Sequence, residues 1–144
     1  MGKLIWTDAF SVGVEEIDRQ HQEFVRLIGR LQTMQELKSP HGVILRILRE
    51  LLKYADFHFE SEENLMVLVK YPELDQHREE HKHLLKTAEA MTAAFASGKE
   101  PVESVLDFLA DWFALHTQSS DKAAGRFINQ VANNRPSVGL DLPK

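Results

Sequence analysis

The 144-residue sequence contains no cysteine, which excludes disulfides, thiolate zinc sites, iron–sulfur clusters and cysteine nucleophiles together. Any metal must then be held by histidine, carboxylate or water. A basic excess is missing too: 17 Lys and Arg stand against 22 Asp and Glu, for a net charge of −5. That leaves no electrostatic footprint for a nucleic acid. The opening stretch Met1-Gly2-Lys3-Leu4-Ile5-Trp6-Thr7-Asp8 lacks the long apolar run of a signal peptide or membrane span. The expectation is a cytoplasmic protein with no membrane insertion. There is no Gly-rich phosphate loop, no low-complexity segment, no flexible linker and no repeat that implies a second domain. The length suits one domain around one core.

What is present is helical punctuation and helical spacing. A leader of about eighteen residues, with Trp6, Phe10 and Gly13, precedes the first periodic stretch. Ser39–Pro40 reads as a cap followed by proline at the first helical position. Tyr71–Pro72 separates the second segment from the third, because the residue before proline disfavours the helical region. Gly98 closes the third segment and Pro101 opens the fourth. Apolar residues recur at steps of three and four: Val14, Ile17, Phe24, Ile28, Leu31; Ile44, Leu48, Leu51, Ala55, Leu65, Val69; Leu74, Leu84, Ala88, Met91, Phe95; and Val102, Val105, Leu109, Trp112. This is the seam spacing of packed helices, and no stretch sustains strand alternation. The class is all-α: an antiparallel up-and-down four-helix bundle with an extended leader and a short C-terminal helix or tail. The helices are placed at about 18–37, 40–70, 72–97 and 101–119, with a tail over 121–144 that carries Phe127, Ile128 and Val131 and stops at Asn133-Asn134-Arg135-Pro136.

Each seam has gaps, and polar groups fill them. His21 stands between Ile17 and Phe24, His58 and Glu62 between Ala55 and Leu65, His77 and His81 between Leu74 and Leu84, and His116 follows Trp112. Five of the seven histidines thus occupy positions where a bundle places leucine; His41 and His83 do not. A single histidine on an apolar face is usually a satisfied core residue. Burying five imidazoles and a carboxylate without partners would cost a few kcal/mol for each group. The sum exceeds the roughly 5–15 kcal/mol that stabilises a domain of this size. A metal pair satisfies all of these groups at once. His58 and Glu62 are four apart, as are His77 and His81, so each pair projects from adjacent turns of one face. Asp121 lies five residues beyond His116, past an expected helix end, where a carboxylate could turn back to the site. Imidazole and carboxylate suit iron, zinc, manganese or copper alike.

The donor count is informative. If two six-coordinate metals share Glu62, Asp121 and one solvent-derived oxygen, three bridges fill six of twelve positions and five histidines fill five more. One position stays open, which suits reversible binding of one small ligand. Oxygen-activating di-iron bundles use carboxylate-rich sets; the histidine-rich set here favours binding over oxidation.

These residues resemble the hemerythrin family, and within it the single-domain bacteriohemerythrins. The likeness runs from Trp6 to about Lys122. It is carried by Trp6 to Val14 leading into Ile17-Asp18-Arg19-Gln20-His21, by His58-Phe59-Glu60-Ser61-Glu62-Glu63, by Tyr71-Pro72, by His77-Arg78-Glu79-Glu80-His81, and by Trp112 with His116 and Asp121. All seven ligand positions of the family carry the expected residue type. The resemblance implies a four-helix bundle holding two irons per chain in an oxo- or hydroxo-bridged centre that binds dioxygen reversibly. It implies that His77, His81 and His116 hold the coordinatively filled iron, that His21 and His58 hold the open one, and that Glu62 and Asp121 bridge them. Where the family commonly has isoleucine after the last histidine, this chain has Thr117. Its hydroxyl could bond a bound ligand, admit water or, the leading reading, cap the helix end by bonding backbone. Trp112 and Phe113 are expected to wall the ligand pocket.

Two readings of Asp18 stand side by side: it orients His21 by hydrogen bonding, or it serves as a first-turn acid or cap. Glu60 and Glu63 lie off the seam and are expected to be solvated. His116, Ser119, Ser120 and Asp121 look superficially like a hydrolase triad, but four residues at one helix end do not supply a histidine between nucleophile and acid with an oxyanion hole. Rival functions are a module sensing oxygen, nitric oxide or iron through a signalling partner, and a peroxidase or iron-handling di-iron protein. A carrier that delivers dioxygen to an oxygen-consuming enzyme fits the primary reading.

Overall fold

The apolar seams fold as four long helices in the computed structural model, which describes residues 3–134. Helix α1 spans Glu15–Glu36, α2 His41–Val69, α3 Leu74–Ala96 and α4 Val102–His116. No strand occurs among the described residues. Contacts run α1 to α2, α2 to α3, α3 to α4 and α4 back to α1, the cyclic order of an up-and-down bundle with short connections. No helix among the described residues is long and apolar enough to cross a membrane.

Three of these helices end in the same way. At Lys38, Lys70 and Gly98 the backbone turns left-handed, with φ of 55°, 56° and 80°. The amide of that residue and the one after it then return to the last turn: Lys70 N–H donates to the Val67 carbonyl and Tyr71 N–H to that of Met66, at 3.1 and 2.9 Å. Lys38 and Ser39, and Gly98 and Lys99, repeat the pattern. This double bond satisfies carbonyls that a helix end otherwise leaves open. Gly98 was legible as such a stop; the two lysines were not, because a left-handed non-glycine residue is uncommon.

The seam residues named from the sequence are buried, apart from Leu74, Met91 and Trp112, which are half-buried. They form two separate apolar clusters. The larger gathers Phe24, Ile28, Leu31, Leu48, Leu51, Ala55, Leu84, Val105 and Leu109. The smaller gathers Val12, Val14, Ile17, Leu65, Val69 and Ile128. Along α1 the chain passes from Ile17 in the small cluster through His21 to Phe24 in the large one. Along α2 it passes from Ala55 through His58 and Glu62 to Leu65. The polar residues therefore form one layer between two dry ones.

Two boundaries differ from expectation. Helix α1 begins at Glu15, three residues earlier than about 18, and the leader before it contains a 3₁₀ turn at Asp8–Phe10. The end of α4 is not a break: a π-helical turn over Thr117–Asp121 carries the chain directly into α5, Lys122–Asn134. Helix α5 lies on α2 and against the leader, where Gly125 is needed because a Cβ there would meet the Val12 carbonyl oxygen at 2.2 Å. The expected stop at Arg135–Pro136 and the rest of the tail lie outside the described residues.

Candidate metal centre

The seven candidate ligands come from four helices and a turn. His21 is on α1, His58 and Glu62 on α2, His77 and His81 on α3, His116 on the last turn of α4, and Asp121 closes the π turn. Each exposes 5% or less of its surface. The π turn explains the five-residue step from His116 to Asp121. In an α-helix of 3.6 residues per turn, five steps leave two side chains about 140° apart. The wider i→i+5 turn brings them onto one face, and such turns concentrate at functional sites.

The carboxylates divide their oxygens between two histidine sets. Glu62 Oε1 lies 2.7 Å from His77 Nε2 and 3.3 Å from His81 Nε2. Asp121 Oδ1 lies 2.9 Å from His77 Nε2 and 3.0 Å from His116 Nε2. The second oxygens face the other way. Glu62 Oε2 lies 3.2 Å from His58 Nε2 and 3.5 Å from His21 Nε2, and Asp121 Oδ2 is 3.2 Å from His21 Nε2. Two groups able to hold a cation result: Glu62, His77, His81, His116 and Asp121, and beside it His21, His58 and Glu62.

These residues fit a metal better than they fit one another. Glu62 Oε2, His81 Nε2 and His116 Nε2 are buried, and their contacts at 3.0–3.3 Å are too poorly angled to be hydrogen bonds, so none has a hydrogen-bond partner among the described residues. Unsatisfied buried atoms of this kind are costly and call for a partner. The spacing suits one: bonds of about 2.1 Å set at right angles leave neighbouring donor atoms about 3.0 Å apart.

Electrostatics point the same way. Burial works against a charged His21 imidazole, but Asp121 and Glu62 outweigh it and raise its pKa to about 9. The same contest, burial against Asp121 and Glu62, lifts His77 to about 10. His81 is raised against burial by Glu62 and Glu63. For His58 burial prevails over Glu62 and the pKa falls. Burial favours neutral forms of Glu62 and Asp121 as well, yet the surrounding imidazoles hold both below the usual carboxylate range. Without metal, protons shared among imidazoles and carboxylates do the work that a cation would do.

Three of the outward ring nitrogens, those of His58, His81 and His116, face residues the sequence did not single out as part of the site. His58 Nδ1 lies 2.6 Å from Gln20 Oε1, and His116 Nδ1 lies 3.0 Å from Glu80 Oε1. Nothing in the periodicity marks Gln20 or Glu80; each merely precedes a histidine. Glu63, expected to be solvated, is half-buried with Oε2 2.7 Å from His81 Nδ1, whereas Glu60 is exposed. His41 and His83 are exposed, away from the cluster.

Asp18 does not orient His21. Its carboxylate accepts hydrogen bonds from Ser11 Oγ and from Val12 N–H, at 2.6 and 2.8 Å. It pins the leader to the first turn of α1 as a first-turn acid, and it does not cap that helix, whose N-terminus has no side-chain cap. Thr117 does not cap backbone either: its hydroxyl is buried without a hydrogen-bond partner among the described residues. Ser119 makes the back-bond instead, to the Leu115 carbonyl at 2.7 Å. The reason is position: Thr117 enters the π turn on its buried side. Trp112 and Phe113 line a cavity of about 10 Å³ together with His21, Phe24, His58, Phe59 and Asp121. Thr117 is not among its walls.

Comparison with known proteins gives a consistent match. The model of the hemerythrin HHE cation-binding domain matches residues 12–127. A bacteriohemerythrin of Pseudomonas aeruginosa is 28% identical over 84% of this chain and 78% of its own. One of Stenotrophomonas maltophilia is 25% identical over 96% of this chain and 93% of its own. A crystal structure of wild-type hemerythrin superposes with a TM-score of 0.81 at 26% identity, covering 88% of this chain and 98% of that one.

Proposed function

The chain belongs to the hemerythrin family, and on that premise we propose that it binds dioxygen reversibly at a non-haem centre of two irons. In this reading His77, His81 and His116 hold one iron and His21 and His58 the other. Glu62, Asp121 and an oxo or hydroxo group bridge them. The observation that carries the reading is the division of each carboxylate's two oxygens between the two histidine sets. A single-metal site has no use for that arrangement.

An iron pair supplies the electrons that dioxygen takes up on binding and returns on release. The chain's own residues provide the rest. Four helices and the π turn hold the seven donors in place, so little side-chain ordering opposes binding. Phe24, Phe59 and Phe113 wall the cavity beside His21 and His58. Their apolar faces exclude water, and the space admits at most one small guest. A donor set of five imidazoles and two carboxylates favours ligand binding over substrate oxidation, so the role is that of a carrier, store or delivery protein and not an enzyme.

The test is metal analysis followed by gas cycling. The purified protein should hold two irons per chain and develop an oxo-to-iron charge-transfer spectrum when the reduced form meets air. Removing oxygen should reverse it. Zinc as the resident metal, or irreversible oxidation, overturns the reading.

A further inference from the structure

The two halves of the centre are backed differently. An imidazole that offers Nε2 to a metal carries its proton on Nδ1, and what accepts that proton tunes the ring as a donor. On the three-histidine side two of the rings face carboxylates: Glu63 Oε2 at 2.7 Å from His81 Nδ1 and Glu80 Oε1 at 3.0 Å from His116 Nδ1. On the two-histidine side there is no charge. His58 faces the neutral amide oxygen of Gln20 at 2.6 Å, and His21 Nδ1 has no partner among the described residues.

Each acceptor is itself fixed by its neighbours. Gln20 cannot exchange its amide ends, because its Nε2 donates to Glu16 Oε1 and Ser61 Oγ, both at 3.1 Å. Its oxygen is thereby turned to His58. Glu63 is held by Arg78, whose Nε lies 3.4 Å from the other carboxylate oxygen. Glu80 accepts a hydrogen bond from Ser120 Oγ at 2.7 Å, so the π turn that delivers Asp121 also aligns the residue behind His116.

We propose that Glu63 and Glu80 are positioning residues that act through His81 and His116 to make the three-histidine half the stronger electron donor and hold the pair's reduction potential low. Gln20 keeps the half beside the cavity the weaker donor. A carboxylate pulling on Nδ1–H moves the ring toward imidazolate, a stronger base that stabilises the more highly charged metal. An amide oxygen pulls less, and a free Nδ1–H not at all. This inference rests on the iron-pair reading above.

The experiment is a potentiometric titration of the iron-loaded protein, followed by its charge-transfer band, with iron content measured on every sample. Glu63→Gln and Glu80→Gln keep shape and remove charge. Each should raise the potential enough to shift the oxidised-to-reduced ratio at least tenfold, about 59 mV for a one-electron step. The double exchange Glu16→Gln with Gln20→Glu puts a carboxylate behind His58 while keeping an amide donor facing it, and should lower the potential. Iron-replete glutamine variants within threefold of the parent overturn the proposal. Should a glutamine variant lose iron, the double exchange decides: a lowered potential supports the proposal, and an unchanged or raised one overturns it. A parent protein without an iron pair overturns the functional reading itself, a result separate from any of these.

Discussion

Thr117 shows what one side chain can reveal. Its hydroxyl is buried with no partner among the described residues, a situation that costs about 1–3 kcal/mol. Thr117→Val keeps the branched shape and removes the hydroxyl. It should therefore raise thermal stability by about 1 kcal/mol, read as a higher Tm of the metal-free protein. A lower Tm would mean that the hydroxyl has a partner in solution. The residues around the centre were unevenly legible. The five histidines and Glu62 stood out because polar groups on an apolar seam break a pattern, and Asp121 through its place five residues beyond the last of those histidines. Glu63, Glu80 and Gln20 break none: they sit off the seam, where polar residues are ordinary, and only the fold brings them behind a ring. Asp18 was ambiguous for the same reason, since a first-turn acid suits either of two neighbours.

At the scale of elements, the helices were readable from spacing and their ends were not. Pro40, Pro72, Gly98 and Pro101 marked the connections, but Lys38 and Lys70 hold left-handed conformations with φ of 55° and 56°. Non-glycine residues there are disfavoured by about 1–2 kcal/mol. Lys38→Gly and Lys70→Gly should each stabilise the protein by about 1 kcal/mol, measured by urea unfolding; destabilisation would show that the lysine side chains do more than end a helix. Gly125 is the opposite case. Its Cβ would fall 2.2 Å from the Val12 carbonyl oxygen, backbone that cannot simply rotate away. Gly125→Ala should cost about 1–3 kcal/mol and expose the contact between leader and α5 to proteolysis first. The π turn was invisible because nothing in Thr117-Gln118-Ser119-Ser120-Asp121 forbids an ordinary helix. The five-residue spacing signalled only that something had to bring Asp121 round, and a helix break looked sufficient.

For the whole molecule, a polar layer between two apolar clusters makes stability depend on what neutralises that layer. In the metal-free protein His21 and His77 are raised from 6.5 to about 9 and about 10. Their contribution is complete below pH 6.5 and is lost as pH climbs through 9 to 10. Glu62 and Asp121 are lowered from 4.5 and 3.8, so theirs is present above those values and lost as pH falls through the depressed ones. His58, pushed down by burial, favours higher pH and partly offsets the two raised rings. The metal-free protein should thus have a lower Tm at pH 10 than at pH 6. Because a metal must displace these protons, metal uptake at pH 7 should release protons, seen by titration calorimetry in buffers of different ionisation enthalpy. The release should fade above pH 10, where the two rings are already neutral; uptake at pH 7 without proton release would contradict the shared-proton description.

Two metals bridged by two carboxylates is the claim on which the functional reading depends. The direct measurement is anomalous diffraction at the iron absorption edge from crystals of the iron-loaded protein. Two iron peaks per chain are predicted, with Glu62 and Asp121 each placing one oxygen on either ion. Three histidines should lie around one peak and His21 with His58 around the other. A single peak, or two peaks without a shared carboxylate, would contradict it.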